Sequence, residues 1–161
     1  RKLKNSELNR IDVSTFKSIK KTPLIIILDD IRSLNNIGQF LEPAMHLNRK
    51  ITKTAIGATE SVDWEYYEKI DDLISKLKSS GVKLWAIEQA EGSKSLSDLS
   101  IENPVIKHAL IFGNEINGVN QNIVNNCDEV LEINQYGTKH SLNVSIAAGI
   151  VIWSFFKLLN N

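Results

Sequence analysis

The sequence predicts an α/β domain with a mostly parallel sheet flanked by helices, and three observations carry that prediction. Leu24 to Leu28 reads LIIIL, a continuous apolar run of strand length whose β-branched content calls for burial on both faces. Further short apolar runs alternate with segments of helical periodicity, the pattern of strands joined by helical crossovers. Finally, 161 residues with 42% apolar and 24% charged side chains suffice for one ordinary core and are unlike a disordered or fibrous chain.

Taken in order, Ser6 precedes Glu7 to Lys20, where Leu8, Ile11, Phe16 and Ile19 partly fit helical spacing, so a basic helix with a frayed start is expected. Pro23 then opens the LIIIL strand. Asp71 to Ser80 reads as an amphipathic helix ended by Gly81, and Val82 to Ile87 as the next strand. The segment from Gly92 to Asn103, rich in serine and acidic residues, reads as a surface loop. A short buried strand at Ala109 to Phe112, a helix at Gln121 to Asn126 and a strand at Glu129 to Ile133 follow. Leu142 to Leu159 is a long apolar helix. Asn143, Ser145, Gly149, Ser154 and Lys157 interrupt it, which favours burial in a core or between subunits over a membrane span. The expected organisation is a basic helical extension over 1–22 and one α/β unit over 23–161.

Composition removes several classes of function. Cys127 is the single cysteine, so there is no internal disulfide, and three scattered histidines with one thiol make no zinc site. The opening RKLKNSELNR has no apolar stretch behind its basic residues, so no secretory signal is visible and a cytoplasmic location is expected. Formal net charge is zero, yet from Arg1 to Lys53 there are 11 Lys or Arg against 5 Asp or Glu. One end is basic and the other acidic. Such asymmetry fits a protein that meets a polyanion with one region only, and equally an uneven solvated surface.

Three segments are unlike packing material. Leu28 to Phe40, LDDIRSLNNIGQF, places Asp29, Arg32, Asn35 and Asn36 beyond a strand end, where ligands bind in open α/β sheets. An ordinary strand-to-helix turn with Asn36 as N-cap would also explain it. Ile111 to Val119, IFGNEINGV, again follows a buried strand and flanks Asn114 and Glu115 with Gly113 and Gly118. Glycines so spaced point to a sharp bend or a close approach to a ligand, and the lysine and hydroxyl residue of a phosphate-binding P-loop are missing. Tyr136 to Ala147, YGTKHSLNVSIA, places Ser141 and Asn143 at a helix start, where they could cap the helix or help its N–H groups hold a ligand.

In this order and spacing the three segments resemble the signature motifs of the SpoU/TrmH branch of the SPOUT RNA methyltransferases. FGNEINGV followed by CDEVLEI, then GTKHSLNVSIAAGI, agree with the family pattern of GNE(x)xG, an apolar strand, and S-LNVS-A, and the likeness covers most of Leu24 to Leu159. KTAIGATESV, Lys53 to Val62, is similar to a subgroup that methylates tRNA or rRNA. The resemblance implies a C-terminal deep trefoil knot, the α/β knot of SPOUT proteins. It also implies S-adenosylmethionine as cofactor and methyl transfer to a ribose 2′-hydroxyl of RNA, by a homodimer joined through its last helix. Gly113, Ile133 and Leu142 match the positions whose backbone holds the donor, with Asn114, Gly118 and Ser141 beside them. Asn36, Glu115 and Asn143 match the residues of the reacting centre. Arg32, Arg49, Lys50 and Lys53 are the candidates for the RNA backbone, and no metal is implied.

One departure matters. The family's first motif carries an arginine that activates the ribose hydroxyl, and the matching place, six residues after Asn36, holds Glu42. Only Phe40 to Asn48 separate the first motif from Arg49, where the family has an arginine segment, a strand and a loop rich in glycine and proline. The sequence also begins without Met. The expectation is that residues are missing from this stretch and that an arginine follows Phe40. Two alternatives stand beside it: a non-catalytic knotted RNA-binding relative, and a nucleotide-binding α/β domain with no RNA partner.

Overall fold

The computed structural model describes residues 1–4, 7–8, 12–33, 65–138 and 141–160. Within them a parallel sheet of five strands runs in the order β1-β4-β2-β5-β3. The strands are β1 (Leu24–Leu28), β2 (Lys83–Ile87), β3 (Lys94–Ser95), β4 (His108–Phe112) and β5 (Glu129–Glu132). The α-helices are α1 (Val13–Ser18), α2 (Ile70–Ser79), α3 (Gln121–Asn126) and α4 (Val144–Leu159).

The continuous apolar runs become strands because both faces of the sheet are covered. Side chains alternate across a strand, so Ile26, Leu28, Trp85, Leu110, Phe112 and Leu131 pack with Ala148, Val151 and Phe155 of α4. On the other face Ile27, Leu84, Ala86, Ala109 and Ile111 pack with Leu73, Ile74 and Leu77 of α2 and Ile123 of α3. Burying each of the larger of these side chains contributes about 2 kcal/mol, and β4 is buried along its whole length.

The strand register sets the position of everything functional. Leu28 is level with Phe112, Phe112 with Ile87, and Ile87 with Leu131, so four strands finish side by side. The residues that follow them therefore meet at one edge of the sheet.

Within the N-terminal stretch a helix covers Val13–Ser18, with Asp12 as its N-cap accepting from Thr15 N–H. One sequence expectation is corrected. The stretch after Gly92 is not merely a loop: Lys94 and Ser95 pair with Leu131 and Glu132 as an edge strand, and Leu96–Asp98 forms a 3-10 turn. A two-residue strand has no periodicity of its own and exists only through its neighbour. No helix among the described residues is long and apolar enough to cross a membrane.

Candidate functional site

The turn that follows β4 is built around two glycines. Asn114 Oδ1 accepts from the N–H groups of Ile116 (3.0 Å) and Asn117 (2.8 Å), and its carbonyl accepts from Gly118 N–H at 3.0 Å. The chain folds back so tightly that a Cβ on Gly113 would lie 1.9 Å from the Gly118 carbonyl carbon. Gly118 has φ +66°, and a Cβ there would lie 2.0 Å from Glu88 Oε2. Only glycine fits either place without moving backbone or that carboxylate.

Glu115, in the same turn, reaches across to the segment after β1. Its Oε2 accepts from Arg32 N–H and its Oε1 from Ser33 N–H, each at 3.3 Å. The residue expected to hold the loops thus joins the first motif to the second. The Arg32 guanidinium pairs with Asp30 at 3.1 Å, with both side chains more than half exposed. Nearby, Asp29 is half-buried, and burial holds its carboxyl above the ordinary carboxylate value, with Asp30 and Asp71 adding to the rise.

The third segment enters α4 through Asn143, whose Oδ1 accepts from Ser145 N–H at 2.9 Å and from its hydroxyl at 2.5 Å. Capping is therefore one of its roles. Asn143 also borders a cleft of about 470 Å³, within the ordinary range for a small-molecule site. Gly113, Asn114, Glu115, Gly118, Ile133, Ser141, Leu142 and Asn143, eight residues singled out from the sequence, all line this cleft. Its ionisable side chains among the described residues are Glu88, Glu115 and Glu132. Glu88 and Glu115 each accept backbone N–H groups, so these carboxylates hold the walls of the cleft together. Arg32 stands outside the lining, and Asn36, Arg49, Lys50, Lys53 and Glu42 lie outside the described residues.

Sequence reasoning missed Ile87, Glu88, Gln89 and Gln135, which also line the cleft. The signal was present for the first three: they end or follow β2, and the strand-end rule that singled out β1, β4 and β5 applies equally there. Gln135 donates to the Ile133 carbonyl at 3.0 Å, a contact with no sequence signature.

A parallel sheet whose strand ends and loops border a glycine-edged cleft defines an α/β protein with a candidate small-molecule site. The chain belongs to the SpoU rRNA Methylase family, whose pattern matches residues 23–153. It is similar to the tRNA (guanosine(18)-2′-O)-methyltransferase of Aquifex aeolicus, with 28% identity over 83% of this chain and 69% of the relative. It is also similar to the 23S rRNA (guanosine-2′-O-)-methyltransferase RlmB of Neisseria meningitidis, with 30% identity over 84% of this chain and 59% of that protein. Among solved structures, the AdoMet-bound rRNA methyltransferase from Sinorhizobium meliloti superposes with a TM-score of 0.77 at 19% identity, covering 91% of this chain and 61% of that one. This chain thus spans roughly three-fifths to seven-tenths of these relatives' lengths.

Proposed function

We propose that this chain is an S-adenosylmethionine-dependent RNA methyltransferase that transfers a methyl group to a ribose 2′-hydroxyl of tRNA or rRNA. The observation that carries the reading is the convergence of the second and third sequence segments, with the end of β5 between them, on one cleft, the first segment being tied to it through Glu115. The names of the similar proteins, acting on tRNA in one case and on 23S rRNA in the other, support the substrate class.

The residues present fit the donor. The glycine turn brings backbone to the edge of the cleft where no side chain could stand, and the cleft's volume of about 470 Å³ suits a small-molecule donor. When bound, the donor supplies an electrophilic methyl group. Gly113, Ile133 and Leu142 would hold it by backbone groups, with Asn114, Gly118 and Ser141 shaping the wall. Such a displacement gains most from holding the reacting atoms close and in line, so the rigidity of these turns is their contribution to rate. Glu115 keeps the first and second motifs in register, and Asn143 orients the start of α4 beside them.

The ribose hydroxyl is a weak acid that needs a partner to lose its proton. Asn36 would orient it, and a cationic side chain, the arginine expected after Phe40, would assist ionisation. Glu42 cannot do so. Peptide mapping of the stretch between Asn36 and Arg49 in the natural protein is expected to recover an additional arginine, whereas the uninterrupted stretch with Glu42 would leave the non-catalytic relative as the better reading.

RNA would meet the basic half of the chain, with Arg32, Arg49, Lys50 and Lys53 against its phosphates. Residues 1–22 would form a basic extension to a catalytic unit over 23–161, the C-terminal segment would be knotted, and the enzyme would work in the cytoplasm. Homodimer formation through α4 is supported by an exposed apolar stripe, Ile146, Ile150, Trp153 and Phe156, opposite the buried Ala148, Val151 and Phe155. Mapping 2′-O-methyl groups in total RNA from cells with and without the gene tests the activity. A set of sites that disappears with the gene is expected, and an unchanged map would overturn the reading.

A further inference from the structure

We propose that Glu88 is a positioning residue for the methyl donor, acting through the glycine turn; the inference rests on the donor reading above. Glu88 follows β2 directly and lines the cleft. Its Oε2 accepts from Val119 N–H and its Oε1 from Gln89 N–H, both at 2.9 Å. One carboxylate therefore ties the end of β2 to the far side of the turn that begins at Gly113.

The packing makes this tie specific. The Gly118 position faces Glu88 so closely that the three nearest atoms to an added Cβ all belong to the Glu88 carboxyl group, the first at 2.0 Å. On its other side the same peptide lies against Gly113. The Gly118–Val119 backbone lies between Gly113 and Glu88, so its position depends on both. Hydrogen bonds from N–H groups to a carboxylate are stronger than those between neutral groups. The shape of the donor's wall thus depends on a residue outside the family's signature segments.

The test measures binding of S-adenosylhomocysteine and of bulk tRNA to the full chain, with the melting temperature recorded alongside. Wild-type protein that binds no S-adenosylhomocysteine would sink the donor reading itself. Given wild-type binding, E88A is expected to weaken S-adenosylhomocysteine affinity about tenfold or more, with tRNA affinity held within about twofold, and E88Q to fall between. In activity assays the donor KM should rise while the RNA KM stays. G118A should also weaken the donor, both because its Cβ would displace the carboxylate and because φ +66° strains any side chain there. Unaltered donor affinity in both E88A and E88Q overturns the proposal. If E88A does not fold, E88Q alone decides it by the same affinity measurement.

Discussion

The two ends of the sheet share the same strands and are built on opposite terms. At the amino end of β2 and β4, His108 is almost wholly buried; its Nδ1 accepts from Trp85 Nε1 at 3.1 Å, and both rings face Phe155 of α4. Rings meet rings there, with Asp128 Oδ2 accepting from Leu84 N–H at 2.7 Å beside them. At the carboxyl end the contacts run from carboxylates to backbone N–H groups: Glu88 to Val119, Glu115 to Arg32 and Ser33. An end packed by rings gains stability from burial, and an end held by backbone contacts keeps an open cleft at fixed shape. Substitutions at the first should therefore lower stability without altering ligand affinity, and substitutions at the second should do the reverse.

The largest departure is expected from G113A, where the added Cβ meets backbone 1.9 Å away and no rotamer can relieve it. Donor affinity should fall by about 100-fold or more. Calorimetric titration with S-adenosylhomocysteine reads this, and near-normal affinity would contradict the close packing of the turn. At the opposite end, W85F removes the donor to a buried ring nitrogen and should cost about 1–3 kcal/mol in urea unfolding. The same variant should bind the donor normally, and coupled losses would break the division between the two ends.

E115Q keeps one acceptor and loses the other across Arg32 and Ser33, so methylation should slow by about tenfold while melting barely moves. A large fall in melting temperature with unaltered rate would make Glu115 a stability residue instead. One pH dependence belongs to the packed end. Burial holds the His108 imidazole below its ordinary value of 6.5, with the nearby Lys83 charge adding to that. The unfolded chain then takes up a proton before the folded one does. Its contribution to stability is full above the ordinary value and is lost as pH falls from there toward the folded one. Urea midpoints measured between pH 7.5 and 5.5 should drop more steeply than in H108Q, and parallel curves would remove His108 as the cause.

The smallest effect is expected from K94A. Lys94 and Lys83 both reach Glu129 Oε1, at 2.8 and 3.3 Å, and hold that carboxyl below the usual carboxylate range, the Lys94 hydrogen bond first. The Lys94 side chain is mostly exposed, and such pairs are worth about 0–1 kcal/mol and weaken with salt. A K94A loss in the urea midpoint that is large and persists in high salt would show the pair to be more than a surface contact.

By itself the sequence determined the layered α/β class, the helix Gln121–Asn126 residue for residue, and the segments that border the cleft, because each is encoded locally in an apolar run, a cap or a glycine spacing. Three things were decided only by the tertiary structure. The edge strand Lys94–Ser95 exists because Leu131 and Glu132 offer it hydrogen-bonding partners. Glu88 joins the site because Val119 N–H folds back onto it from thirty-one residues away. His108, a lone histidine in the sequence, becomes a core residue because Trp85 and Phe155 close over it. Local signals specify what a segment will be; which distant group satisfies a carboxylate or a ring nitrogen depends on the register of strands, and no short stretch of chain contains that register.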